Sequence, residues 1–298
     1  MSPFPFTGLS AFPLTPASAD GVVDTKVLQR LLDRILQADV QSIGLLGSTG
    51  VYMYLSREER RRAVAAAVEV VRGKIPLMVG VGTLRTDEAQ ALARDAAAER
   101  ADALLLAPVS YTPLTDEEVF RHFEAVAGAT DLPLCIYNNP STTHFSFSPD
   151  LLQRLSGLAR IHAVKMPLPK DMDFPGEMKR LRAGVPPEFK IGYSGDWGAC
   201  GALLAGADAW YSVVAGLFPK PAAALTRAAS QGDVAESRRL DALFAPLWDL
   251  FKTHGSLRVV YAAAGLLGLT DALPPRPILP LSSDLLPAIE TAIGGLEG

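Results

Sequence analysis

A lysine inside an apolar run is the residue of this chain best suited to chemistry. Lys165 stands in IHAVKMPL with apolar neighbours on both sides, and lysines are seldom buried without a task. Burial disfavours the ammonium and leaves a free amine, the form that attacks a ketone carbonyl to give an imine. The structural alternative is a buried stem whose ammonium pairs with a carboxylate. Tyr137 closes the preceding apolar run in PLCIYNNP. A phenol both donates and accepts a proton, which suits it to imine formation and carbon–carbon bond making; its alternative is a core tyrosine with a satisfied hydroxyl. Gly47-Ser48-Thr49-Gly50 sets two hydroxyls between two glycines. Such a turn can aim backbone N–H groups and hydroxyls at a carboxylate, although it is also ordinary turn composition. Lys170, beyond Pro167 and Pro169, reads as a solvated surface lysine.

These groups need a frame that brings them together. Short apolar runs at 8–13, 42–46, 76–81, 103–107, 134–137, 161–166, 189–193 and 209–213 alternate with stretches of helical period at 24–38, 56–72, 86–99, 115–127, 148–156, 175–182 and 197–205. Unbroken apolar strands that each lead into a helix imply a parallel sheet covered on both faces. Eight of them imply closure, an α/β fold of the TIM (β/α)8 barrel type, whose working groups lie at the C-terminal ends of the strands. Lys165 and Tyr137 then end neighbouring strands, about 4.8 Å apart. An open doubly wound sheet is disfavoured because no G-x-G-x-x-G follows the first run. Ser56 with Glu59, and Thr115 with Glu118, have the spacing of capping boxes. Residues 1–217 are expected to form the barrel. Residues 218–298 are expected to add two or three helices packed on it as one structural unit, interrupted by the proline-rich stretch 274–280.

Composition excludes several classes. The chain has 298 residues, 49% hydrophobic and 20% charged, with a net charge of -4 and no basic stripe, so no nucleic-acid partner is expected. Cys135 and Cys200 have no metal or disulfide spacing and read as small buried hydrophobes. His122, His144, His162 and His254 form no metal-ligand pattern. The opening MSPFPFTGLSAFPLTP has neither the basic nor the apolar region of a signal peptide, and no apolar run reaches the ~20 residues of a membrane span. A cytoplasmic protein is expected.

Together the segments resemble the dihydrodipicolinate synthase and N-acetylneuraminate lyase family over nearly the whole chain. The resemblance rests on the opening AFPLTP, Gly47-Ser48-Thr49-Gly50, Tyr137-Asn138-Asn139-Pro140, the lysine of VKM and Ser194-Gly195-Asp196. It implies a lyase of the class I aldolase type, in which Lys165 forms a Schiff base with pyruvate or a related 2-keto acid. Tyr137 would move protons with help from Ser48. Ser48 and Thr49 would hold the keto-acid carboxylate, with Tyr211 packed beside it. The partner substrate would be an aldehyde, added or released. No metal or organic cofactor is implied, and a homo-oligomer, dimer or tetramer, is the family's habit.

The departures from that pattern fall on the second substrate. Dihydrodipicolinate synthases usually carry an arginine two residues after the proline of Tyr-Asn-x-Pro; here it is Thr142, in Pro140-Ser141-Thr142-Thr143-His144. A hydroxyl does not replace a planar bidentate donor, so the sequence argues against the dihydrodipicolinate reaction itself; His144 reads as polar surface, with a replacement donor as its functional alternative. After Pro108, where the synthases have paired tyrosines, one of which enters a neighbouring subunit's proton relay, this chain has Val109 and Ser110, then Tyr111. Tyr111, or else Ser110, is expected to complete the relay. Val51 replaces the usual glutamate of the strand-two motif. Two other readings stay open: a 2-keto-3-deoxy sugar acid dehydratase or aldolase, with Thr142, Thr143, Ser194 and Asp196 binding a polyol, and a keto-acid-binding protein without efficient turnover.

Overall fold

The computed structural model describes residues 6–296. Each apolar run supplies one short strand: β1 Gly8–Ala11, β2 Ser42–Leu45, β3 Leu77–Gly80, β4 Ala103–Leu106, β5 Leu134–Tyr137, β6 Ile161–Met166, β7 Lys190–Tyr193 and β8 Ala209–Ser212. They pair in sequence order, all parallel, and β8 pairs back onto β1, so the barrel is closed as expected. Between the strands lie α1 Thr25–Leu36, α2 Arg57–Val71, α3 Thr86–Ala98, α4 Asp116–Ala127, the single turn α5 Pro140–Thr143, α6 Pro149–Ser156, α7 Phe174–Gly184 and α8 Ala199–Leu204. Helix α9, Pro219–Ser230, packs on α8 and β1. No helix of the described residues is long and apolar enough to cross a membrane.

Strand alternation divides the core in two. Leu9, Ile43, Leu45, Leu104 and Val164 face outward to the helices, and a fully buried leucine or valine there stabilises the fold by roughly 1.5–3 kcal/mol. The other face fills the barrel interior with Phe12, Met78, Leu105, Cys135, Tyr137 and Tyr211.

Two local expectations are corrected. The described residues from 218 onward form five α-helices, not two or three: α9, then α10 Val234–Leu243, α11 Ala245–His254, α12 Ser256–Leu266 and α13 Leu286–Gly294. The first three breaks, of one to three residues, are too short to disturb an apolar pattern. Gly255 alone, at φ +83°, separates α11 from α12, and Asp233 starts α10 by accepting the Glu236 N–H at 3.0 Å. The second correction concerns caps. The Thr115–Glu118 box is complete, but only half of the Ser56–Glu59 box forms. Ser56 accepts the Glu59 N–H at 3.2 Å, while the Glu59 carboxylate turns to the Val23 N–H at 2.7 Å and to Arg62.

Candidate active site

Tyr137 and Lys165 are register partners at the C-terminal ends of β5 and β6. Lys165 is 3% exposed. Its Nζ lies 3.8 Å from the ring centroid of Phe12, 4.3 Å from that of Tyr137 and 5.8 Å from that of Tyr211. The amine is thus surrounded by aromatic rings, and no ion pair joins it to a carboxylate among the described residues. Desolvation lowers its pKa to about 7, against the opposing charges of Cys135 and Asp196. A large share of neutral amine at neutral pH follows.

The Tyr137 hydroxyl meets Ser48 Oγ at 3.3 Å and accepts from Asn139 Nδ2 at 3.0 Å, and that amide also reaches Ser48 Oγ at 3.4 Å. Burial raises the Tyr137 pKa, with the Ser48 bond acting the other way, so the phenol is a proton donor at rest. The turn that carries Ser48 is bracketed by two left-handed residues, Leu46 at φ +57° and Val51 at φ +50°. A β-branched residue there is strained, and such strain is retained where the surroundings fix it, often at functional sites. Thr49 is buried and Ser48 half-buried. We expect Tyr137→Phe, which keeps the ring and removes the proton, to lower turnover about 10²–10⁴-fold. Some adduct with pyruvate should still form, more slowly than in the parent, and steady-state kinetics beside mass spectrometry separate the two effects.

Tyr211 is fully buried, its ring edge-to-face with Phe12 at 6.0 Å and its hydroxyl 3.6 Å from Cys135 Sγ. Cys135 and Cys200 are free and buried. The four residues expected around the second substrate bond to the protein itself. Thr142, exposed, and Thr143, buried, donate to the Asn139 carbonyl at 3.2 and 3.0 Å. Ser194 Oγ donates to the Met166 carbonyl at 3.1 Å. Asp196, 2% exposed, accepts Trp210 Nε1–H at 2.8 Å and the N–H groups of Val213 and Val214 at 3.2 and 2.7 Å. Burial lifts its pKa to about 6 in spite of these bonds. His144 is exposed and caps α5 at φ +54°. Tyr111 is 97% exposed, away from the buried cluster.

Two members of the site had no role in the sequence reading. Asn139 was visible only as part of a motif; its amide is aimed back because Pro140 begins α5 directly after it. Phe12 lies in the opening apolar run, where an inward aromatic looks like any other core residue.

A closed β/α barrel that presents a desolvated lysine beside a hydrogen-bonded tyrosine on the adjacent strand is the arrangement of a lyase working through an imine. The model of the dihydrodipicolinate synthetase family matches residues 5–295. The 4-hydroxy-tetrahydrodipicolinate synthase of Alcanivorax borkumensis is 33% identical over 281 residues, 93% of this chain and 92% of that protein. A crystal structure of dihydrodipicolinate synthase from Agrobacterium tumefaciens matches with a TM-score of 0.97 and 60% identity, covering 98% of each chain. A monomeric dihydrodipicolinate synthase variant matches at 0.89 and 25% identity, again over 98% of each chain. The chain belongs to the dihydrodipicolinate synthetase family. Its class of chemistry is that of a pyruvate-dependent, Schiff-base-forming lyase of the class I aldolase type.

Proposed function

We propose that Lys165 carries the imine and that Tyr137 carries the protons of a reaction joining pyruvate to an aldehyde, or of its reverse. The neutral amine adds to the C2 carbonyl, and the carbinolamine loses its hydroxyl as water with a proton from Tyr137. Loss of a C3 proton gives the enamine, whose C3 attacks the aldehyde carbon. The new alkoxide takes a proton, and hydrolysis frees the lysine. Ser48 and Asn139 hold the Tyr137 hydroxyl in place, and Ser48 with Thr49 bind the keto-acid carboxylate in the Gly47–Gly50 turn, beside Tyr211. The observation that carries this reading is the Lys165 amine, enclosed by rings and next to the Tyr137–Ser48–Asn139 cluster.

For the acceptor, the α5 turn offers the Thr142 hydroxyl where a guanidinium would stand, and Ser194 directly follows β7. We assign both to an aldehyde that is not gripped by a bidentate cation, and Thr143 and Asp196 to shaping the backbone that presents them. The experiment is borohydride reduction with pyruvate, followed by intact mass and peptide mapping, beside Lys165→Ala. A pyruvate adduct on Lys165 that vanishes in the variant supports the assignment; an adduct elsewhere, or none, removes it. The aldehyde of the dihydrodipicolinate synthases and 2-keto-3-deoxy sugar acids then test the second substrate.

We assign Tyr111 to the relay of a second copy of the chain, since an exposed phenol serves a buried cluster only from outside its own subunit. Tyr111→Phe should lower turnover about tenfold or more while leaving adduct formation in place, and sedimentation should find a dimer or larger. A monomer with full activity would remove this role.

A further inference from the structure

The rings around Lys165 bear on which keto acid the site accepts. Phe12 follows directly after β1, is 2% exposed, and is anchored by its N–H to the Ser212 carbonyl at 2.8 Å. Its ring cannot withdraw from Nζ. A Cβ on Gly44 would fall 2.2 Å from Phe12 Cζ, and one on Gly47 would fall 2.7 Å from Cδ1, so the ring already occupies the space those glycines leave. Tyr211 is held in the same way: a Cβ on Gly192 would lie 2.6 Å from Tyr211 Cε2. Close-packed rings backed by main chain do not yield to an added methylene without strain of about 1–3 kcal/mol.

A keto acid joined to Nζ through C2 must place a carboxylate and C3. With the carboxylate in the Gly47–Gly50 turn, a C3 joined through C2 to Nζ must lie among the rings that surround that amine, Phe12 nearest at 3.8 Å and Tyr211 at 5.8 Å. The enamine of pyruvate ends in CH2, so one direction at C3 serves the acceptor and only hydrogen meets the wall. A longer keto acid adds a carbon in the enamine plane.

We propose that Phe12, backed by Gly44 and Gly47 and braced by Tyr211, is the specificity-determining residue that restricts the 2-keto acid to pyruvate by closing the second position on C3. The inference rests on the imine at Lys165 and adds the limit on its substrate.

The test needs no aldehyde. Parent and Phe12→Ala are incubated in D2O with pyruvate or 2-oxobutanoate, exchange at C3 is followed by NMR, and adducts are trapped with borohydride in parallel. The parent should exchange pyruvate about 10–200-fold faster, the discrimination one methylene supports in an apolar pocket. Phe12→Ala should shrink that ratio about tenfold or more by raising 2-oxobutanoate exchange. Phe12→Leu, which keeps apolar bulk and serves if the alanine variant does not fold, should fall between them. Equal exchange of both acids by the parent overturns the proposal. So does an unchanged ratio in a folded variant that still traps pyruvate. No pyruvate adduct in the parent would instead remove the imine assignment, and this inference with it.

Discussion

Lys165→Met is expected to abolish turnover and the pyruvate adduct and yet to unfold at a higher temperature than the parent at pH 7. Loss of activity follows from the missing amine. The gain in stability follows from linkage. The folded-state pKa of Lys165, about 7, lies below the ordinary 10.5 of the unfolded chain. Between those values the unfolded chain binds a proton that the folded one lacks, so this group opposes folding, and does so most at and below pH 7. At about 1.4 kcal/mol per pKa unit the burden is several kcal/mol. The rings around Nζ offset roughly 0.5–2 kcal/mol of it for the charged form. A net gain on the order of 2 kcal/mol remains for a thioether of similar length, which packs well against aromatic rings. The advantage over the parent should shrink as pH rises from 7 and be gone above 10.5. Thermal unfolding of both proteins at pH 7 and in alkali measures this; equal midpoints at pH 7 would show that the amine is well solvated.

Asp196→Ala is expected to lower stability by about 3 kcal/mol or more, the largest loss among single changes around the site. Its carboxylate serves three donors, Trp210 Nε1–H and the N–H groups of Val213 and Val214. Each is left without an acceptor in the variant, at roughly 1–3 kcal/mol apiece before relaxation. The sign of the pH dependence is opposite to that of Lys165. The folded pKa, about 6, lies above the unfolded 3.8, so the stability that goes with protonation is fully present below pH 4 and is lost as pH rises through 6. The gap between parent and variant should therefore narrow across that window. Urea unfolding at pH 5 and pH 7.5 gives the midpoints, with an unchanged m-value showing that only stability moved. A fully stable variant with a raised KM for the acceptor would mean that Asp196 serves substrate instead.

The barrel was legible because its signal is repetitive: apolar runs broken by turn residues, each followed by a helical period. Lys165 was legible for a related reason, a charge placed where the pattern demands an apolar side chain. What escaped is the setting of Asp196, which depends on distant partners: its side chain has the type of a substrate ligand, and the N–H groups of Val213 and Val214, beyond β8, donate to it. Local spacing shows neither. Glu59 shows the same effect at a helix end, where an amide from before α1 drew its carboxylate away from the cap. Phe12 escaped for the reverse reason: its type fits the core, and only the ring's position over Nζ sets it apart.

The glycines inside the barrel tie the history of the site to its walls. Position 44 has no room for a side chain while Phe12 stands, and position 192 has none while Tyr211 does. Neither partner of a pair can drift alone: a methyl at 44 must wait for a smaller residue at 12, and a smaller residue at 12 leaves a void that favours a larger one at 44. Related chains should therefore sort into two exclusive packings at each pair, glycine opposite an aromatic ring or a bulkier residue opposite a small one, and the shape of the lysine chamber would be inherited as a unit.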